Sequence, residues 1–239
     1  MMPGPSESNN NAEPFATFFP DWLTRQEHFL DELLQVQPSQ HHEEGVDHES
    51  RELIGRVMTH YNQYYKFKSR IAHQNVFLVL SPPWFSPYER TFLWISGFKP
   101  SLAFRIVNNS VSDLDAEQGG QMERLAEEIK ADERELAAEL VAVQEALAAA
   151  PILALARREG RLENGRVREV DNAMERLRSS MEELVECADY LRTKTVVKVM
   201  EILNTGQSVR FLAAAAQLQL RIRSWGQQRD AARRNVSTD

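Results

Sequence analysis

The chain has 239 residues, 42% of them hydrophobic and 26% charged, close to the averages for a folded soluble protein. That length buries a sizeable core without metal or disulfide staples. Its single cysteine, Cys187, excludes an intrachain disulfide and a cysteine-cluster zinc site. The net charge of −7 is blocky, with residues 1–50 at −9, 51–110 at +6 and 111–239 at −4. The simplest reading is that the blocks pack on one another; an anionic partner for the basic middle block is the alternative. The longest run of large apolar residues, Val76 to Leu80, is far short of the ~18 needed to span a bilayer. Residues 1–13 are Asn/Ser/Pro-rich without the basic and apolar regions of a secretory signal, so none is expected there, and the single cysteine points to a reducing compartment.

Helical spacing dominates. Residues 1–14 are expected to be a disordered tail. The chain then reads as one helical domain over 15–230, with an N-terminal part 15–110, a C-terminal part 120–230 and a flexible tail at 231–239. Phe15, Phe18, Phe19, Trp22, Leu23, Phe29, Leu30, Leu33 and Leu34 fall at steps of three and four, giving one apolar stripe that Pro38 ends. Gln37 to Glu49 reads as a polar linker, and a long helix follows from about Asp47 to Leu80. Ser81–Pro82–Pro83 stops that helix. Ser86–Pro87–Tyr88–Glu89 then predicts a new start, with Ser86 as cap, Pro87 at the first helical position and Glu89 completing a capping box. Gly97 and Pro100 keep this helix short, and Pro100 opens another through Val107.

A break is expected at Gly119–Gly120. Beyond it Met122, Ile129, Leu136 and Val143 repeat at seven, with Ala126, Glu133, Leu140 and Leu147 as the second series and Glu133 as a polar defect. Pro151 interrupts this helix, and residues 159–168, with Asn164–Gly165, read as a helix–helix loop. A helix carrying Val170 to Leu191 continues through Thr193–Val199 despite its β-branched residues. Gly206 ends or kinks it before a last helix over about 207–228. No segment reads as a convincing strand. The expected fold is an all-α, multi-helix antiparallel bundle with long helices and a short aromatic helix-turn plug.

Candidate chemistry is sparse. His41, His42 and His48 with Glu43, Glu44 and Asp47 are competent ligand types but match no defined metal spacing, and no metal is assigned. His60 and His73 lie thirteen apart on the long helix and face roughly opposite ways, so they do not converge; a core or surface histidine is the simple reading of each. No nucleophile elbow, phosphate loop or HExxH pair is present, and no catalytic residue is assigned. Cys187, among Leu184, Val185 and Ala188, reads as a buried inert thiol. The densest stretch is SPPWFSPYERTFLWISGFKPS over 81–101. Its aromatics read as a core plug, or as a pocket for a hydrophobic ligand or partner helix built from Trp84, Phe85, Trp94, Gly97, Phe98 and Pro100. Residues 123–145 carry eight acids against three bases, which makes Glu127, Glu128, Asp132 and Glu133 a candidate partner-binding acidic face. Arg221, Arg223, Arg229, Arg233 and Arg234 form a candidate basic patch.

Phe15–Phe18–Trp22–Leu23–Gln26–Leu30–Leu33 at the start is followed by His60–Tyr61–Tyr64–Lys68. Next come Pro83–Trp84–Ser86–Glu89–Trp94–Ile95–Gly97–Phe98–Pro100–Ser101, and then Gln121–Leu125–Glu128–Glu135–Leu136–Leu140–Gln144. In this order and over nearly the whole chain, these residues resemble the plant Delay of Germination domain family, shared with the C-terminal halves of TGA-type bZIP factors. The departures are Ser96, where the family often has Gly, and Lys99, where it often has Arg. Residues 1–14 carry no basic region or zipper, so direct DNA binding is not expected. The Asp47–Val107 block and the run VRFLAAAAQLQLRIRSWG look most like the Inaperturate Pollen branch. That resemblance implies a non-enzymatic adaptor that meets protein partners at the plasma membrane and marks the sites where pollen apertures form and exine is excluded. It would lie in the cytoplasm and at the membrane periphery, without a membrane span and without a cofactor. The dormancy branch instead implies a regulator with phosphatase partners and haem, although no haem ligand aligns with a particular histidine here. A ligand-binding regulator holding haem or a fatty acid in the aromatic stretch, or a nuclear co-regulator, is the alternative.

Overall fold

A computed structural model of the chain describes residues 13–36, 44–149 and 164–236. Among these residues there are seven helices and no strand: α1 (Glu13–Gln35), α2 (Glu44–Leu80), α3 (Pro87–Arg90), α4 (Leu102–Ser110), α5 (Ala116–Ala149), α6 (Asn164–Ile202) and α7 (Thr205–Val236). The all-α bundle expected from the apolar periodicity is the observed fold. α7 is the hub, packing on α1, α2, α3 and α4, while α6 packs on α2, α4 and, most extensively, α5.

α1 buries Phe19, Trp22, Gln26 and Leu33, at steps of three, four and seven; Leu34, expected on the same stripe, is 54% exposed. α2 buries Leu53, Val57, His60, Ile71, Val76 and Val79. It is interrupted at Asn75, whose backbone (φ −156°, ψ 95°) leaves the helical region while its side-chain oxygen accepts the Phe77 amide at 3.1 Å. Two contiguous cores result. One gathers Leu33, Val57, Phe104, Ile129, Phe211 and Leu212. The other gathers Phe19, Trp22, Ile71, Val76, Leu184 and Ala188, with Trp94 packed against both.

Several expected boundaries are corrected. Gly119–Gly120 does not break the chain but lies in the first turns of α5. Asp115 caps that helix, its carboxylate accepting the Gln118 amide at 2.8 Å while the Gln118 side chain accepts the Asp115 amide at 3.1 Å. The same reciprocal pair, Asn204 with Gln207, starts α7 and overrides Gly206 as the punctuation point. The two capping glutamines meet, Gln118 Nε2 donating to Gln207 Oε1 at 2.8 Å. Residues 44–49 of the expected linker belong to α2, residues 164–168 of the expected loop belong to α6, and residues 231–236 of the expected tail belong to α7. The β-branched run at 193–199 is helical because its inward side chains are buried and Thr193 and Thr195 return their hydroxyls to the carbonyls four residues back. Pro38, Pro151, the His41–His42 pair and residues 1–12 of the expected disordered tail 1–14 lie outside the described residues, whereas residues 13 and 14 of that tail open α1.

Candidate functional site

The expected capping box is present: Ser86 Oγ accepts the Glu89 amide at 3.1 Å, and the Glu89 carboxylate accepts the Ser86 amide at 2.7 Å. α3 lasts only four residues because the chain must then turn sharply. Ile95 (φ 42°) and Ser96 (φ 66°) both adopt left-handed backbone, closed by the Trp94 amide donating to the Gly97 carbonyl at 2.6 Å. Ser96, the departure from the family's usual Gly, thus occupies a position whose φ favours glycine.

Arg192 on α6 holds this turn. Its guanidinium donates to the carbonyls of Phe98 (2.7 Å), Ile95 (2.8 Å) and Trp94, and it also pairs with Asp189. Asp189 is shared with Lys68 of α2 at 2.8 Å, so a buried Lys68–Asp189–Arg192 network ties α2, α6 and the plug. Burial pulls the Lys68 ammonium down to about 8, opposed by the Asp189 charge. At the other side of the plug Arg223 of α7 donates to Trp84 O (2.8 Å) and to Glu89 (3.1 Å), and lies over the Phe19 ring. Gly226 completes this seam, because a Cβ there would stand 2.1 Å from Ser86 Oγ.

Two cavities flank the plug. The larger, about 450 Å³ and mostly apolar, lies between α2, α4, α6 and α7, with Tyr61, Tyr65, Phe98, Pro100, Val196 and Phe211 in its wall. The smaller, about 100 Å³, is lined by Phe19, Tyr64, Lys68, Phe85, Gly97 and Phe98. Of the expected pocket residues, Phe98 and Pro100 therefore face the larger cavity and Phe85, Gly97 and Phe98 the smaller. Trp84 and Trp94 line neither and are packed as core. Tyr61, whose hydroxyl is pushed up to about 12 by burial, accepts Gln26 Nε2 at 2.5 Å and forms wall between the two spaces. Sequence reasoning misses Arg192, Asp189 and the tyrosine walls, whose partners lie far away in the chain. One signal was available for Arg192: it falls in register with Val185, Ala188, Thr195 and Val199 on the buried face of α6.

His60 stands against the expectation of a satisfied histidine. It is 2% exposed, its ring is stacked on Trp22 (centroids 4.4 Å) and tilted against Phe29, and neither ring nitrogen has a hydrogen-bond partner. Burial, then the nearby Arg25 charge, lowers its pKa to about 4. The unfolded imidazole takes up a proton at about 6.5, whereas the folded one stays neutral to about 4. Stability contributed here is intact above 6.5 and is lost as pH falls towards 4, by roughly 3 kcal/mol across the window. His60→Phe keeps the stack and removes the titration. Urea midpoints between pH 7 and pH 4.5 should show a flatter acid limb for this variant, and an unchanged limb would assign the proton uptake to other groups.

The acidic face is redistributed. Glu133 is not solvated but 3% exposed, accepting the Ser101 amide at 2.6 Å and pairing with Lys99 at 3.4 Å; its heptad register sends it inward to anchor the plug. Glu128 and Asp132 are drawn to Lys194 of α6 at 2.9 and 3.0 Å, and the hydrogen bond from Lys194 lowers the Glu128 carboxyl below its usual range. Glu127 is exposed and bridges to Lys130. What remains open is a groove between α5 and α6 lined by Glu135, Glu139, Glu186, Cys187 and Tyr190, the last 72% exposed. Cys187 is exposed rather than buried, yet partial burial and the neighbouring Glu139, Glu183 and Glu186 raise its thiol pKa, leaving it protonated. The basic patch is also divided: Arg223 turns inward, Arg229 stacks over Tyr88, Arg221 and Arg233 are exposed, and the Arg234 side chain lies outside the described residues. The middle basic block is neutralised in part: Lys68 pairs with Asp189 and Lys99 with Glu133 of the later acids, while Arg51 pairs with Asp47 and Arg56 with Glu32 of the first block.

No helix among the described residues is long and apolar enough to cross a membrane. Residues 29–109 match the family model for seed dormancy control, DOG1. Protein ZW2 of Arabidopsis thaliana is 37% identical over 91% of this chain and 98% of its own length. Protein RESPONSE TO ABA AND SALT 1 of the same plant is 35% identical over 93% and 99%. Transcription factor HBP-1b(c38) of Triticum aestivum is 30% identical over 92% of this chain but only 65% of its own length. The matched segment contains α2, the capping box, the left-handed turn and α4, and the alignments with full-length relatives continue through the α5–α7 bundle that clamps them. The chain belongs to the DOG1 seed-dormancy-control family and is related to the TGA-type transcription factors.

Proposed function

We propose that this protein is a non-catalytic adaptor that binds a basic protein segment in the α5–α6 groove. The observation carrying this reading is the conjunction of a 72% exposed tyrosine, Tyr190, with Glu135, Glu139 and Glu186 around one open groove. An exposed aromatic ringed by carboxylates suits a Lys/Arg-bearing partner helix, the ring stacking on a cation and the carboxylates steering it. The site of action we propose is the plasma-membrane periphery of developing pollen, where apertures form and exine is excluded. Support for that assignment is the sequence resemblance of Asp47–Val107 and of the α7 run VRFLAAAAQLQLRIRSWG. A fluorescent fusion in microspores should mark lines or spots at the cell edge, and nuclear signal at every stage would move the assignment to a transcriptional co-regulator. Combined Tyr190→Ala, Glu135→Lys and Glu139→Lys changes should weaken capture of the microspore partner by about tenfold or more with unchanged helicity. Undiminished capture removes the groove from the mechanism. Charge reversal at Glu133 is unsuitable for this purpose, because it would dismantle the plug.

A second reading draws on the cavity of about 450 Å³, a size within the range of small-molecule sites. A bound hydrophobic molecule such as a fatty acid there would make the protein a ligand-responsive regulator. Lipid co-purifying with the wild type and lost on Val196→Trp would favour it.

A further inference from the structure

His73, Glu182 and Glu186 form a cluster on the far side of α2 from His60, close to the Asn75 interruption and outside both cavities, with Glu186 shared with the wall of the α5–α6 groove. His73 Nδ1 lies 2.8 Å from the Ser69 carbonyl oxygen. A carbonyl only accepts, so Nδ1 carries the proton and Nε2 faces outward. Nε2 stands 3.6 Å from Glu182 Oε1 and 3.4 Å from Glu186 Oε1, and the three atoms all lie within 4.8 Å of one another. An imidazole lone pair aimed at two carboxylate oxygens is repelled unless a proton or a cation lies between them.

The geometry suits a cation. Tetrahedral zinc with bonds of ~2.1 Å sets its ligand atoms about 3.4 Å apart, close to the 3.6 and 3.4 Å from His73 Nε2 to the two carboxylates. A backbone carbonyl fixing the other ring nitrogen is the usual support of a metal-bound histidine. Glu182 is oriented in the same way: Arg178 Nη1 holds its Oε2 at 3.4 Å, leaving Oε1 towards the cluster, while Arg178 is itself neutralised by Glu175 at 2.7 Å. The Arg178 charge lowers affinity but does not occupy Oε1. We infer that His73, Glu182 and Glu186 bind one zinc-type divalent cation, with water in the fourth position, bridging the end of α2 to α6. A nitrogen ligand beside two carboxylates disfavours magnesium and calcium, which take all-oxygen shells. Such a bridge would lock the interrupted end of α2 onto the C-terminal bundle.

The test is calorimetric titration of the chelator-stripped full chain with Zn²⁺, alongside Co²⁺ absorption. One saturable site, tetrahedral Co²⁺ bands and a zinc-dependent rise in melting temperature are expected. Affinity should fall about tenfold or more in His73→Ala, Glu182→Gln and Glu186→Gln, and stay unchanged in Cys187→Ser and His42→Ala. Glu186→Gln alters a half-exposed side chain, so it reports on binding even if another variant unfolds. Absence of saturable binding, or binding that survives His73→Ala and Glu186→Gln but is lost in Cys187→Ser or His42→Ala, overturns the site. His73 and Glu182 lie outside the α5–α6 groove whereas Glu186 lines both sites, so cation binding lost in His73→Ala or Glu182→Gln with partner capture intact separates the two sites.

Discussion

Arg192→Met is expected to destabilise the protein by about 3–5 kcal/mol, read as a lower urea midpoint and early loss of tryptophan fluorescence from the plug. The side chain is 5% exposed, and each of its three guanidinium nitrogens donates to the Trp94–Phe98 turn or to Asp189. Methionine fills similar volume but leaves the buried Ile95 carbonyl and the part-buried Trp94 and Phe98 carbonyls without this donor and removes a counter-charge from Asp189, each with a desolvation cost. Arg192→Lys should recover only a minor part, because an ammonium on a flexible stem does not reproduce the planar fork that reaches Phe98, Ile95 and Trp94 together. A methionine variant within about 1 kcal/mol of wild type would show that the left-handed turn at Ile95–Ser96 is held by packing alone.

Glu89→Ala should cost a comparable amount, about 3–5 kcal/mol, for a different reason. Glu89 is 7% exposed and has two duties, capping Ser86 and neutralising Arg223. Truncation strands the Arg223 charge against Phe19 and Trp84 and opens the start of α3. The neighbouring seam gives an independent check. Gly226→Ala leaves both charges in place but drives a methyl into Ser86 Oγ, and should cost about 1–3 kcal/mol through overpacking. If Glu89→Ala were no more damaging than Gly226→Ala, the Glu89–Arg223 pair would carry little of the seam and the cap would be its main element.

The Ser86–Glu89 cap shows how far local chemistry reads from sequence: cap, proline and carboxylate lie within four residues, and their partners are each other. Ser96 shows a partial case. It is marked by the family's usual glycine, but only the fold shows that the reason is a φ of 66°. Glu133 shows where sequence gives two answers. As a member of an acidic run it belongs outside, and as a member of a heptad it belongs inside; the Ser101 amide and Lys99, brought over by the plug, decide for the inside. The apolar neighbours of Cys187 predict a buried thiol, but Leu184, Val185 and Ala188 face the core while Cys187 turns towards the α5–α6 groove.

The all-α class, the order of the helices, the capping box and the family relationship follow from the sequence itself, since periodicity, caps and motif order are local quantities that survive without tertiary contacts. Tertiary structure alone decided which charges are spent and which remain available. The Lys68–Asp189–Arg192 network, the Arg223–Glu89 seam and the His73–Glu182–Glu186 cluster each join helices far apart in the chain. A charged side chain has the same sequence signature whether it meets water or a buried counter-charge, and the electrostatic energy that separates those states depends on burial and distance, which arise only when the helices pack.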